Sequence, residues 1–208
     1  DQHADLFERA EEMRAKVHNA KERRILARKH LGLVVATMFY EPSTRTRLSF
    51  ESAAVRLGAG LISTENAGEF SSAIKGESLE DSTRPVAKYA DVMVLRHKKT
   101  GAAEDAAGLQ VVPVINAGDG KGEHPTQTLL DLHTIQRNKR RLSDLTVVIG
   151  GDLANGRTAR SLAIGLSAYK NNNLHLVSTP DFRMGDDVKE HLAAVGTPFV
   201  ETDDMYGA

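Results

Sequence analysis

Residues 39–50, with the sequence FYEPSTRTRLSF, carry the passage from a strand into a helix and so decide the fold. The apolar run LVVATMF at residues 33–39 is typical of a buried strand, and Pro42 ends it. Ser43 or Thr44 then offers a hydroxyl that can cap the N-terminus of a helix. The stretch therefore predicts a strand followed by a helix, the repeating unit of α/β proteins.

The start of this helix is a candidate anion site. The first turn of a helix presents unpaired backbone N–H groups at the positive end of its dipole. Arg45 and the hydroxyls of three neighbours would complete a socket for a phosphate-sized group; the neighbours are Ser43, Thr44 and Thr46. Arg47 projects from nearly the opposite side, so we expect it to be an ion-pair partner. A capped, solvated turn without a ligand explains the tetrapeptide STRT alone equally well.

Composition indicates a soluble intracellular protein. The 208 residues suffice for one large domain or two small ones. No apolar run approaches the roughly 20 residues that span a bilayer, and the first residues form a charged helical pattern in place of a signal peptide. There is no cysteine, which excludes disulfides and thiolate metal sites and favours the reducing cytoplasm.

Charge argues against nucleic acid as the main partner. The chain has 27 Lys and Arg against 28 Asp and Glu, a net charge of −1. Residues 21–30, KERRILARKH, form a basic run that could be read as a nucleic-acid patch. No aromatic residue interleaves with these charges, so we interpret the run as a solvated helix face and the turn before the first strand.

Strand and helix patterns alternate along the chain. Strands are predicted at residues 33–39, 60–64, 91–95, 111–115, 146–149, 174–177 and 198–200. Helices are predicted at residues 4–20, 44–57, 77–89, 126–137, 157–170 and 186–195. This alternation predicts parallel α/β layers with crossovers, and the polar run QRNKRRL at residues 136–142 is a candidate domain boundary.

The helix at residues 44–57 has a candidate inward face and a candidate end. We expect Leu48, Phe50 and Val55 to face inward. We expect the helix to end at Gly58, because glycine is favoured just past a helix C-terminus.

Four polar clusters each follow a predicted strand. They are STRTR at residues 43–47, Arg96 with His97, NAGDGKGEHPTQ at residues 116–127, and GGDLANGR at residues 150–157. Ligands of open α/β sheets gather outside the carboxyl ends of the strands. We therefore expect the four clusters at the same edge of a parallel sheet.

Five motifs, in their order and spacing, resemble the catalytic chains of the aspartate carbamoyltransferase family. They are FYEPSTRTRLSFE, SSAIKGESLEDS, VLRH, NAGDGKGEHPTQTLLDL and GDLANGRT, and they run over essentially the whole chain. Ornithine carbamoyltransferases share the STRTR-like and HPxQ elements, whereas the KGES segment and the TLLDL after HPTQ are more similar to the aspartate enzymes. The resemblance implies two doubly wound parallel-sheet α/β domains. Residues 1–137 would bind carbamoyl phosphate, and residues 138–208 would form an aspartate-binding domain that is incomplete, because members of the family are longer.

The resemblance also implies roles for the polar clusters. The phosphate of carbamoyl phosphate would be held at the helix start by Ser43, Thr44, Arg45 and Thr46, with Arg45 neutralising the leaving group. Arg96 would bridge the phosphate and the carbonyl oxygen. His124 would donate to that oxygen and Gln127 would accept from the carbamoyl NH2 group. These last two residues are three apart, on one face of a helix start to which Pro125 is suited.

Further implications concern the second substrate and a neighbouring subunit. Lys75 and Ser71 would enter the active site of a neighbouring chain, which implies a homotrimer with shared sites. Ser72 is the alternative to Ser71. Arg157 and Lys75 would bind L-aspartate, with Arg157 on a carboxylate and oriented by Glu41. GGDLANGR lacks the GxGxxG order of a dinucleotide site.

The implied reaction transfers the carbamoyl group to the amine of L-aspartate, giving N-carbamoyl-L-aspartate and phosphate for de novo pyrimidine biosynthesis. It needs positive charge at the leaving phosphate, donors at the developing oxyanion and a placed amine, and no metal or other cofactor. Two alternatives remain open: ornithine or another amine as the acceptor, or a phosphate-binding module without turnover. Regulatory chains or fused enzymes of the pyrimidine pathway are compatible with the resemblance.

Overall fold

The computed structural model describes residues 2–65, 78–120, 124–205 and 207. These residues form an α/β protein of two compact units, Asp1–Gly120 and Lys121–Ala208. The described strands of each unit form one sheet, and every strand pair is parallel. The α/β class and the parallel sheets expected from the sequence are therefore confirmed.

The described residues form seven strands and eight α-helices. The strands are β1 (Val34–Phe39), β2 (Gly60–Thr64), β3 (Val92–His97), β4 (Val114–Asp119), β5 (Thr146–Gly150), β6 (Asn173–Val177) and β7 (Phe199–Thr202). The helices are α1 (Gln2–His18), α2 (Ala20–Leu26), α3 (Thr44–Arg56), α4 (Leu79–Val86), α5 (Ala102–Gly108), α6 (Pro125–Lys139), α7 (Arg157–Ser167) and α8 (Asp186–Ala194). A short 3-10 helix covers Pro180–Phe182.

The first sheet has the strand order β2-β1-β3-β4. The chain adds β2 on one side of β1 and then returns to add β3 on the other side. This reversal is the topological switch point of a doubly wound sheet, and the crevice for a ligand lies there, outside the carboxyl ends of β1 and β3. Phe39, the last residue of β1, pairs with Arg96 of β3 in the ladder. The doubly wound topology thus brings two of the predicted polar clusters together.

Helices cover both faces of the first sheet. On one face, Phe39 packs with Val94, and Phe50 of α3 packs against this cluster. On the opposite face, Met93 and Leu95 pack against residues of α4 and α5. Successive residues of β3 therefore serve two apolar layers, as expected of a strand buried on both sides.

The second sheet, β5-β6-β7, runs in sequence order. Leu174 and Leu176 of β6 are fully buried on one face. On the other face, Val148, His175 and Val200 pair in one row across the three strands. Val148 and Val200 are both about half exposed. In the described part of the chain this sheet is thus covered on one face only.

Most predicted elements are present with shifted ends. Two short helices, α2 and α5, were not among the predicted helices, although the first lies in the basic run at residues 21–30. There Leu26 is buried and most charged side chains are exposed, which confirms the solvated helix face. β4 starts at Val114 and includes residues 116–119, so the cluster NAGD lies inside the strand and not after it.

The inward face of α3 differs from the prediction. Phe50 packs against the sheet as expected, but Leu48 and Val55 are exposed. Residues two apart on a helix are separated by about 200°, so Leu48 and Phe50 cannot both face inward. The inward face instead includes Arg47 and Glu51, whose side chains are 24% and 15% exposed. The end of the helix is as predicted, because Gly58 with φ of +83° follows it.

The two compact units divide after Gly120, whereas the predicted domain boundary lies between residues 137 and 138. By this division α6 belongs to the second unit, where it packs against α7. The boundary at residue 137 stays a prediction. The expectation that four clusters share one sheet edge is wrong for GGDLANGR, because it follows β5 of the second sheet.

Gly165 of α7 permits a close approach to α6. A Cβ atom at Gly165 would lie 2.6 Å from Cγ2 of Thr128 and 3.3 Å from Cδ1 of Leu132. Thr128 is β-branched, and its Oγ1 donates to the carbonyl oxygen of His124 at 3.3 Å, which resists a change of rotamer. The packing of the two helices therefore requires a residue without a side chain at position 165.

We predict that Gly165→Ala destabilises the protein by about 1–3 kcal/mol, because the clash exceeds the gain in helix propensity. Gly108→Ala is the matched control, since nothing lies within 4 Å of its Cβ position at the end of α5. Urea unfolding followed by circular dichroism measures both variants. An equal response of the two would contradict the close approach.

Candidate functional site

The first turn of α3 lies just past the carboxyl end of β1. Ser43 is its N-cap, in an extended conformation with φ of −162°, and Thr44 is the first helical residue. Among the described residues, the Ser43 hydroxyl makes no capping hydrogen bond to the helix. The hydroxyl and the backbone N–H groups of the first turn therefore remain available for an anion.

Arg45 and Arg47 have different surroundings. Arg45 is exposed and makes no ion pair within the described ranges of the chain. Arg47 is a double ion-pair partner: Nε lies 3.3 Å from Oε1 of Glu51, and Nη1 lies 2.5 Å from Oε2 of Glu65. The predicted pairing of Arg47 is confirmed. Of the two arginines, Arg45 is the one whose charge is left for a ligand.

Glu51 joins α3 to two strands of the first sheet. Its Oε1 accepts hydrogen bonds from Oγ of Ser63 at 2.6 Å and from Oγ1 of Thr37 at 3.1 Å. Thr37 lies in β1 and is fully buried, and Ser63 lies in β2. Hydroxyls and a guanidinium on one carboxylate form a charge-assisted network that holds the helix in position. This network was not predicted from the sequence, where its signal is the four-residue spacing of Arg47 and Glu51.

Arg96 lies at the switch point and is buried, with 6% of its surface exposed. Its Nη2 donates to Oε1 of Glu41 at 2.7 Å, and its Nη1 donates to the carbonyl oxygen of Ala117 at 3.2 Å. The backbone N–H of Tyr40 donates to the carbonyl oxygen of Arg96 at 2.8 Å. These contacts fix a positive charge beside the segment that leads into α3. The predicted contact of Glu41 with Arg157 would join the two units and stays a prediction.

His124 opens α6 in the second unit. It is the N-cap, and Pro125 is the first helical residue as the sequence predicted. The residue is buried, and Oγ1 of Thr126 lies 3.5 Å from Nδ1 of its ring. With Nδ1 accepting from this hydroxyl, a neutral ring would carry its proton on Nε2. The backbone N–H of His124 donates to Oγ of Ser161 in α7 at 3.3 Å.

Gln127 and Arg157 lie in the first turns of two helices that pack together. The backbone N–H of Gln127 donates to the carbonyl oxygen of His124 at 3.0 Å, so the two residues share one turn of α6. Arg157 is the first residue of α7, after a turn in which the backbone N–H of Asn155 donates to Oδ1 of Asp152 at 2.9 Å. The helix contact thus sets the distance between two predicted binding groups.

The predicted site residues that the structure describes fall into two groups. At the switch point of the first sheet lie Ser43, Thr44, Arg45, Thr46 and Arg96. At the starts of α6 and α7 in the second unit lie His124, Gln127 and Arg157. Ser71, Ser72 and Lys75 lie outside the described residues, and their roles stay predictions.

The sequence matches a family of transferases. Residues 1–137 match the model described as aspartate/ornithine carbamoyltransferase, carbamoyl-P binding domain. The chain belongs to this family, as its motifs predicted. Among its relatives, it is 50% identical over 200 residues to aspartate carbamoyltransferase 3, chloroplastic, of Pisum sativum. It is also 50% identical over 175 residues to the aspartate carbamoyltransferase catalytic subunit of Methanocella arvoryzae.

Solved structures agree with the sequence relatives. The catalytic subunit of M. jannaschii aspartate transcarbamoylase superimposes with a TM-score of 0.89 at 40% identity, covering 100% of this chain and 66% of that one. Aspartate transcarbamoylase from Trypanosoma cruzi, in complex with carbamoyl phosphate and aspartate, gives 0.86 at 34% identity, covering 98% and 63%. The two sequence relatives are matched over 96% and 84% of this chain. The chain spans about half the length of these curated relatives, 50% and 56%.

The surroundings of His97, the neighbour of Arg96, favour the neutral form of its ring. It lies at a register shift between β3 and β4, and its ring centroid is 4.9 Å from that of Tyr40. The backbone N–H of Lys99 donates to its Nδ1 at 2.9 Å. Burial lowers the pKa of His97 from 6.5, and the charge of Lys99 lowers it further.

We predict a pH dependence of stability from His97. Its folded pKa is below its unfolded value, so the unfolded chain binds the proton more readily; the contribution is fully present above pH 6.5 and is lost as pH falls through the folded pKa. His97→Asn keeps an acceptor for the Lys99 N–H and removes the titration. Unfolding free energies measured between about pH 7.5 and 5.5 should therefore change less in this variant. His191→Asn, in an exposed position of α8, is the control, and identical pH profiles for His97→Asn and the unsubstituted protein would refute the assignment.

Proposed function

We propose that this protein is the catalytic chain of an aspartate carbamoyltransferase, acting in de novo pyrimidine biosynthesis. The observation that carries the proposal is the meeting of the uncapped first turn of α3 with the buried Arg96 at the switch point of the first sheet. Names of relatives support the substrates: Trypanosoma cruzi aspartate transcarbamoylase is described in complexes with carbamoyl phosphate and aspartate, and with N-(phosphonacetyl)-L-aspartic acid.

The phosphate half of the reaction rests on positive charge and oriented donors. The hydroxyls and N–H groups of residues 43–46 would bind the phosphate oxygens, and Arg45 would neutralise the leaving phosphate. Arg96, held in place by Glu41, would bridge the phosphate and the carbonyl oxygen. The ion pair with Glu41 compensates the buried charge of Arg96 before the substrate binds. The phosphate dianion of the substrate would then also attract Arg96.

The carbonyl half rests on donors that act as charge develops. The neutral amine would attack the carbonyl carbon, so that the C–N bond forms and the carbonyl oxygen gains negative charge. The nitrogen would then release one proton, and the bond to phosphate would break. His124 would donate to this oxygen, and the interaction strengthens in the transition state. Gln127 would accept from the carbamoyl NH2 group, and Arg157 would bind a carboxylate of L-aspartate with its planar guanidinium.

The acceptor amine is the point that the family leaves open, because its model covers aspartate and ornithine enzymes alike. The names of the relatives favour aspartate. Initial rates with carbamoyl phosphate and each amine separate the cases. Formation of N-carbamoyl-L-aspartate supports the proposal, and citrulline formation from ornithine overturns it. Binding of carbamoyl phosphate without either product would favour a phosphate-binding module.

We predict that Arg45→Ala weakens phosphate binding about ten- to a hundredfold, because a charge-assisted hydrogen bond contributes roughly 1.5–3 kcal/mol. Arg56→Ala is the matched control: it removes the same charge from the last turn of α3 and should leave the affinity unchanged. Calorimetric titration with inorganic phosphate measures both. An unchanged affinity of Arg45→Ala for inorganic phosphate would show that Arg45 does not contact the phosphate.

We propose a homotrimer in which Lys75 and Ser71 of one chain complete the site of the next. If so, a mixture of Lys75→Ala chains with Arg45→Ala chains should recover activity, because some sites then contain neither substitution. Each variant alone, taken through the same mixing procedure, is the control. Mixed trimers without any recovered carbamoyl transfer would show that the sites are not shared.

We propose the cytoplasm as the compartment, although several plant relatives are named chloroplastic. None of the described helices is long and apolar enough to cross a bilayer. Fractionation of cells with an antibody against the protein distinguishes the compartments. Co-purification from the same cells would identify any regulatory or fused pathway partner.

A further inference from the structure

The amide of Gln127 is held in one of its two possible orientations. Its Nε2 donates to Oδ1 of Asp131 at 3.0 Å, one turn further along α6. A carboxylate only accepts hydrogen bonds, so the NH2 end of the amide must be the end that faces Asp131. The carbonyl end, Oε1, is thereby turned away from Asp131.

The Oε1 end of this amide can only accept hydrogen bonds. Within the described part of the chain, Oε1 of Gln127 accepts no hydrogen bond. The side chain is partly buried, in the same helical turn as the buried His124. A ligand group that meets Oε1 must therefore be a donor. Without Asp131, the amide could turn over and present either a donor or an acceptor.

We propose that Asp131 is a specificity-determining residue that, through Gln127, makes the site select acyl phosphates whose carbonyl carbon bears an N–H group. The inference rests on the proposed function, which places the carbamoyl group beside His124 and Gln127. Carbamoyl phosphate carries NH2 where acetyl phosphate carries a methyl group of similar size. An oriented acceptor bonds to the first and is left unpaired by the second.

The substitution Asp131→Asn tests this orientation with little change of shape. The new amide can donate as well as accept, so it no longer dictates which end of Gln127 turns outward. We expect the preference for carbamoyl phosphate over acetyl phosphate to fall roughly tenfold, with the affinity for inorganic phosphate unchanged. Asp181→Asn, an exposed carboxylate in the same unit, is the matched control and should keep the preference.

The preference is measured as the ratio of dissociation constants for the two acyl phosphates and, where turnover occurs, as the ratio of kcat/KM values. A second comparison, in a Gln127→Ala background, separates positioning from general structure. In that background Asp131→Asn should have no further effect on the ratio, because the amide that Asp131 orients is absent.

Two results would overturn the inference: an unchanged ratio, including one in which both affinities fall equally, or an undiminished effect without Gln127. Failure of the proposed function is seen separately in the unsubstituted protein, as binding of carbamoyl phosphate without carbamoyl transfer to aspartate. The ratio of dissociation constants still tests Asp131 in that case.

Discussion

The parallel pairing of β1 with β3 is the constraint on which the phosphate half of the proposed site depends. Because β2 lies on one side of β1 and β3 on the other, the chain leaves β1 at the switch point of the doubly wound sheet. Pairing of Phe39 with Arg96 then places a buried guanidinium opposite the last residue of β1. The first turn of α3 starts only four residues later, at Ser43 and Thr44. The backbone topology thus brings the positive charge of Arg96 close to the N-terminus of α3.

The three arginines near this point differ in how their charges are compensated, and the difference follows from their burial. Arg47 faces inward, where a lone charge would be costly, and Glu51 and Glu65 compensate it. Arg96 is more deeply buried and is compensated by Glu41. Arg45 is exposed, so water can solvate it until an anion binds. The arrangement pairs the buried Arg96 and the partly buried Arg47 with carboxylates and leaves Arg45 in solvent.

The order of elements could be predicted because buried strands are short apolar runs and most helices have long periodic patterns. The helix α5 escaped prediction because its seven residues, largely alanine, carry little periodic contrast. The inward face of α3 was mispredicted because apolar Leu48 was preferred to Arg47. Burial of the Arg47–Glu51 ion pair depends on hydrogen bonds to Glu51 from Thr37 and Ser63, which are distant from it in sequence. The orientation of Gln127 likewise depends on Asp131, a contact that local spacing permits but does not require.

In the second unit, the predicted site residues are positioned by the packing of two helices and not by the order of the strands. The N–H group of His124 is tied to Ser161, and the absent side chain of Gly165 lets α6 and α7 approach closely. Residues at the starts of the two helices, such as Gln127 and Arg157, therefore cannot move independently. Attack of an amine on a carbonyl carbon is sensitive to ångström-scale misplacement of either partner. A close contact between the helix proposed to hold the carbamoyl group and the helix proposed to hold the acceptor meets that demand.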